Sequence, residues 1–394
     1  MIKNILTIRN YLENKDLIFI QKFVWFLFNK TVLVYISSQS LEDAFRMFTV
    51  LNSSGLKLRN SDIIKAQNLS TIKDPKEREN IAKKWELMEN TLNEKEDDDA
   101  IDRLLSIVRT IIVKQKARTN LLDQFEKFVY PKYQHKELLD LIFDYYSIYS
   151  SIFYEFNLSN QATNLITTMD NGFMSTDWIS PILVYYKKFQ EDGNFIKFLE
   201  KLDNKFSVDW NSGLCDATKR IERMNDVIEV IEKSHNSQDI INSNVFQNSQ
   251  EELNSFIRNI NEFDLYGRRH CYYILSKLNY INSSNSTKII NPILSIEHIL
   301  PQNPERSSEW MASFNDEQRE KLINKLGNLM LINGKKNSKL GRKQFQEKKE
   351  IYFKSSIDAI PYNGFINKYN NWSVNELKEN HQTQIDVVKG WYGI

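Results

Sequence analysis

A chain of 394 residues has room for two or three domains and a sizeable core. With 41% hydrophobic and 26% charged residues it is neither a disordered nor a fibrous sequence. A net charge of +1 excludes a polycation, so any contact with nucleic acid has to come from local charge.

Turn-makers are scarce. There are 11 glycines and 7 prolines, where average usage is roughly 7% and 5% of a chain. Long helices are favoured over many short strands. Cys215 and Cys271 are too far apart for a CxxC zinc site and too few for a disulfide framework, which fits a reducing, cytoplasmic setting. The opening residues lack the apolar run of a secretory signal. The greasiest stretch, residues 19–28, is interrupted by Gln21 and Lys22. It falls short of the roughly 20 apolar residues of a membrane span, so no membrane contact is expected and it reads as a buried helix.

In chain order, residues 1–30 read as one or two helices. Residues 31–36 are β-branched and apolar and read as a buried strand. Residues 40–52 read as a helix capped by Ser40 and closed by Gly55, and another opens at 60–62. Apolar residues then recur at three- and four-residue spacing through 101–113, 121–129, 138–156, 179–189, 194–201 and 216–234, the mark of amphipathic helices. The acidic run 94–99 reads as a solvated loop or helix start, and the Ser-, Asn- and Gln-rich stretch 235–249 as an exposed loop. The texture changes after Lys288. Residues 289–296 and 329–332 read as strands, the first with an edge position or bulge at Asn291-Pro292, and 341–353 as a helix. The fold expected is mainly α, with a long helical middle region and a small strand–loop–strand–helix module at the end.

That module carries the chemistry. Its segments are Ser295-Ile-Glu297-His298-Ile-Leu-Pro301-Gln302, then Gly327-Asn328, then Asn333-Gly-Lys-Lys-Asn337-Ser-Lys-Leu-Gly-Arg342. An imidazole titrates near neutrality and can take a proton from water beside a bound cation. Glu297 is adjacent, but neighbours on a regular strand face opposite ways. Convergence of Glu297 and His298 therefore requires the strand end to turn. The amide oxygen of Asn337, at a helix opening, suits a hard ion such as Mg²⁺. A single packed histidine would explain His298 without any of this. Between Arg319 and Lys354 eleven basic residues face three acidic ones, a local excess of eight. Such a run is ordinarily a solvated face, and beside a metal it can also hold a phosphate backbone. Lys335, Lys336, Lys339, Arg342 and Lys343 are the candidates for DNA contact.

These strings, followed by Phe345, Lys348 and Tyr352, resemble the nuclease domain of GmrSD-type modification-dependent restriction enzymes, of the HNH (His-Me finger) superfamily. The Glu-His-Ile-x-Pro-Gln string and the asparagine pair Asn328 and Asn337 also resemble the HNH domain of CRISPR effector nucleases. The resemblance spans about residues 290–355, and more loosely the remainder, where Trp372 and Trp391 fall in the closing helix and Asn380 stands where the family has an arginine. It implies a ββα-metal module in which His298 is the general base and Glu297 and Asn337 hold one divalent ion. Asn328 would orient the His298 loop without touching the metal. The function implied is Mg²⁺-dependent cleavage of modified DNA in phage defence; the alternative is a non-catalytic DNA-binding subunit or remnant.

Upstream, residues 41–66 resemble the end of the family's ParB-like nucleotidase domain, with Asn52, Gly55, Asp62 and Lys65 matching. A helical hairpin punctuated by Gly55 and Asp62 explains the same residues. The family's Asp-Gly-Gln-Gln-Arg motif does not precede them, and the sole Asp-Gly is Asp192-Gly193. The expectation is an incomplete nucleotidase remnant over 1–75, a helical domain over 76–282 and the nuclease domain over 283–394. A nucleotide site within this chain is then not expected, and a separate nucleotidase subunit is the partner implied.

Overall fold

The computed structural model describes residues 2–13, 15–32, 59–288, 294–353 and 361–394. The chain divides into two compact units, residues 1–58 and 59–394, and its secondary structure is mainly helical.

In the first unit, helices Ile2–Glu13 and Leu17–Lys30 are described. The Asp16 carboxylate caps the second by accepting from Phe19 N at 2.6 Å. The helix expected over 19–28 is therefore present, but none of its residues is buried, and Phe28 is 84% exposed. An apolar face is buried only by a second layer, and among the described residues of this unit none covers it. The helix expected over 40–52, most of the strand expected over 31–36, Asn52 and Gly55 lie outside the described residues.

In the second unit the three- and four-residue periodicity becomes helices Ala100–Val113, His135–Phe153, Ile179–Phe189, Phe195–Asn211 and Ala217–Lys233. Their starts follow from local chemistry. Asp74 caps Pro75–Lys95 with proline in its first turn, Asp216 caps Ala217–Lys233, and Ser249 with Glu252 forms a capping box on Gln250–Asn261. Residues 121–129 are helical in two pieces, Leu121–Gln124 and a π turn Phe125–Val129 that buries both Phe125 and Val129. The loop expected over 235–249 holds a helix, Ser237–Asn242, and a 3-10 turn, Asn244–Phe246. Its polar composition hid this: Asn236 is a cap, and Ile240, Ile241 and Phe246 supply the buried face.

Two strands are described, β1 (Leu294–His298) and β2 (Leu329–Asn333), paired antiparallel with Ile296 opposite Leu331, Glu297 opposite Met330 and His298 opposite Leu329. Residues 289–293 of the expected first strand lie outside the described residues. An isolated two-stranded ribbon is marginal in water, and this one is covered on both sides. Ile296, Leu329 and Leu331 pack into the large helical core. Met330 and Ile332 pack into a second cluster with Trp310, Phe345, Tyr352 and Trp372. After β2 come helices Gly334–Leu340 and Phe345–Phe353, the latter starting four residues later than periodicity suggests. Trp372 sits just ahead of the last helix, Val374–Tyr392.

That last helix joins the hairpin to the core. Tyr392 Oη lies 2.6 Å from Ser207 Oγ, and Trp391 donates to Asn204 at 2.7 Å. Further up the same helix, Asn380 donates to Gly327 O at 2.7 Å, while His381 Nδ1 accepts from Gly327 N at 3.2 Å. The helix approaches so closely that a Cβ on Gly327 would lie 2.5 Å from the Cβ of His381. We predict that Gly327→Ala overpacks this contact and costs about 1–3 kcal/mol, read as a lowered thermal unfolding midpoint. An unchanged midpoint would mean that the turn has another way to sit.

Candidate functional site

The site is assembled around the last two residues of β1. Glu297 is 4% exposed. Its Oε1 accepts from Lys348 Nζ at 2.7 Å and from the Tyr352 hydroxyl at 3.1 Å. Lys348 and Tyr352 are four apart on helix Phe345–Phe353 and so share a face. Lys348 is fully buried, and Nζ also donates to His298 O at 2.8 Å. Burial pushes the Glu297 carboxyl up and the Lys348 ammonium down, and each charge opposes the other's shift. At 2.7 Å the contact is a charge-assisted hydrogen bond in a dry environment.

His298 points the other way. It remains in the ladder opposite Leu329, and pairing continues beyond it, with Ile299 N donating to Asn328 O at 2.9 Å. Its ring packs edge-on to Tyr266 with centroids 4.3 Å apart, and Nε2 lies 3.3 Å from Asn324 Oδ1. Burial pulls the imidazole down to about 4, aided by the Lys348 charge and opposed by Asn324. It is therefore neutral at pH 7. The turn that would bring Glu297 and His298 together at the strand end does not occur. Period-2 alternation prevails because both faces of the hairpin have a core to meet.

Asn328 is fully buried in the turn before β2. It accepts from Leu300 N at 2.8 Å and donates to Leu300 O at 3.1 Å and Ile323 O at 2.8 Å. The loop leaving His298 is thus tied by both backbone groups of one residue. Asn337 lies on helix Gly334–Leu340, whose start is capped by Asn333 accepting from Lys335 N at 2.8 Å. Its Nδ2 donates to Ser295 Oγ at 2.8 Å and Ile296 O at 3.1 Å. Ser295 and Glu297 share a face of β1, so Asn337 is fastened to the strand on the side of Glu297, with its amide nitrogen engaged.

Of the expected DNA contacts, Lys335, Lys339, Arg342 and Lys343 are exposed, and Lys343 lies 3.3 Å from Glu347. Lys336 departs from that reading: it is buried, and its Nζ donates to Tyr352 O at 3.2 Å. An amine on the core side of its helix does not meet a phosphate backbone at the surface.

Among the described residues, no group of three or more His, Cys, Asp or Glu side chains is placed to hold a metal. The donors on the Glu297 face still fit a hard divalent ion in kind, because Asn337 spends its amide nitrogen on Ser295 and Ile296 and keeps its oxygen for another partner. Lys348 is the competing cation on the same carboxylate. Asn324, Tyr266, His381 and the bond from Lys348 to Glu297 are contributions that sequence reading did not assign. Only the four-residue spacing of Lys348 and Tyr352 hinted at one of them.

The hairpin thus ends in a buried carboxylate and a buried imidazole, and the segment after it carries exposed cations. Residues 250–385 match the family model of GmrSD restriction endonucleases, C-terminal domain. That stretch, about a third of the chain, is similar to the C-terminal domain of GmrSD restriction endonucleases. No curated protein matches the chain. No described helix is long and apolar enough to cross a membrane.

Lys348→Met leaves the buried Glu297 charge uncompensated and should lower stability by about 3–5 kcal/mol. Millimolar Mg²⁺ should restore part of that stability in Lys348→Met and none in Glu297→Gln/Lys348→Met, read by thermal unfolding. Equal Mg²⁺ responses in the two variants would remove Glu297 as a metal ligand.

Proposed function

We propose that residues 283–394 form an HNH-type ββα nuclease domain that cleaves DNA with Mg²⁺, packed against a helical domain over residues 76–282. The observation that carries the reading is the unit β1–β2–helix Gly334–Leu340, with Asn337 bonded back onto β1 two residues from Glu297. The family match over residues 250–385, which overlaps this domain, supports it. The family's description as restriction endonucleases makes foreign, modified DNA the substrate proposed.

Glu297 and Asn337 would hold the ion, which supplies charge neutralisation at the scissile phosphate. His298 is the proposed general base. It is neutral at pH 7, with a ring nitrogen able to accept a proton from water. For Nε2 to serve beside an ion on Glu297, its contact with Asn324 must give way and the end of β1 must turn, because the two side chains lie on opposite faces of the strand. Asn328 would hold the loop after His298 through both backbone groups of Leu300. Exposed Lys335, Lys339, Arg342 and Lys343 would bind the phosphate backbone without reading sequence.

His298→Ala should lower the rate of nicking of phage DNA in Mg²⁺ by about 10²-fold or more, with DNA affinity retained. Unchanged nicking removes the base assignment. Lys335→Ala/Arg342→Ala should flatten the salt dependence of DNA binding, by roughly 0.9 in slope for each phosphate no longer neutralised. A slope equal to that of the unaltered protein would put the DNA on another surface.

A second reading, a DNA-binding subunit that turns over only with a separate nucleotidase subunit, is favoured by the cover over His298 and the lysine on Glu297. DNA binding without nicking by the chain alone, and nicking once a nucleotidase partner is added, would select it.

A further inference from the structure

A second polar site lies far from β1 in the sequence. Helices Ala100–Val113, Ile179–Phe189 and Ala217–Lys233, with the segment 115–124, line an open cavity of about 520 Å³. Arg109 stands in its wall and is 3% exposed. Its guanidinium donates to Gln115 O and to the Gln124 side-chain oxygen, both uncharged, and Nε has no partner. No described carboxylate lies within ion-pair distance of it. Elsewhere in this unit buried charges are matched: Asp203 by Lys277, Asp209 by Lys205 and Arg223, Glu297 by Lys348.

The carboxylates that line the cavity are committed elsewhere or face water. Asp102 accepts from Ser61 N at 3.0 Å and Asn60 Nδ2 at 3.2 Å, Asp177 pairs with Arg220 at 3.3 Å, and Asp99 is exposed. Another wall carries Asn225, 4% exposed, whose amide nitrogen and oxygen are both unpartnered. A guanidinium does not discharge itself by losing a proton. A buried amide leaves its hydrogen bonds unmade only at a cost. Two such groups on one cavity are the marks of a built site, and the charge fixes the sign of what is missing.

We propose that this cavity binds a small organic oxyanion, its carboxylate or phosphate on Arg109 and its polar body on Asn225, with Ile221 and Met224 as the apolar wall. The volume lies within the range of small-molecule sites. The fork of Arg109 keeps the unused hydrogens of its two terminal nitrogens for the oxyanion, a geometry that suits planar carboxylates and phosphates alike. The inference is independent of the nuclease reading, because no residue of β1, β2 or the helices after them lines the cavity.

The test is calorimetric titration of the full chain with inorganic phosphate, adenosine 5′-monophosphate and succinate. Saturable binding of at least one probe is expected, and whether phosphates or the dicarboxylate bind identifies the oxyanion. Arg109→Gln should weaken binding at least about tenfold. Gln124→Glu, nearly isosteric, places the missing negative charge on a position Arg109 already contacts. It should abolish binding and raise the thermal midpoint, and it carries the test should Arg109→Gln fail to fold. No saturation by any of the three probes at millimolar concentration overturns the proposal, as does equal affinity in the unaltered protein and Gln124→Glu.

Discussion

A strand buried on both faces imposes the constraint on which the candidate site rests. β1 lies between the helical core, which takes Ile296, and the second cluster, which takes its partner strand's Met330 and Ile332. A polar residue in such a strand meets protein rather than water on either side, so each must find its own partner. Glu297 finds Lys348 and Tyr352, while His298 gives up its charge and lies between Tyr266 and Asn324. The turn before β2 is fixed in turn by Asn328 below and by the helix bearing Asn380 and His381 above.

This arrangement bears directly on the chemistry. A carboxylate already bonded to an ammonium is half-occupied as a cation site, and any divalent ion on Glu297 acts against Lys348 as well as against hydration. An imidazole on the opposite face is protected from water until its neighbours move. The described conformation therefore keeps Glu297 and His298 on opposite faces of β1, each closed off by its own neighbours. Lys335, Lys339 and Arg342 after β2 have no such restraint, since they are already at the surface.

Arg109 shows the opposite solution to the same electrostatic problem. Its oxygen partners are neutral, and the cavity beside it leaves room for a counter-charge that no described residue supplies. The same helical unit thus contains buried ions completed internally and one completed only by neutral groups.

The helices of residues 100–233 were legible because apolar spacing, Asp216 and similar caps act within a few residues of one another. So was the order strand, strand, helix after residue 294. The short helix Ser237–Asn242 was not legible, because three apolar residues matter there only once a core receives them. Nor could the sequence decide where Glu297 and His298 point. Adjacent residues on a strand diverge unless its end turns, and whether it turns depends on what covers each face. Lys348, 51 residues from Glu297, and Asn324, 26 residues from His298, made that choice, and only folding brings them within hydrogen-bonding distance.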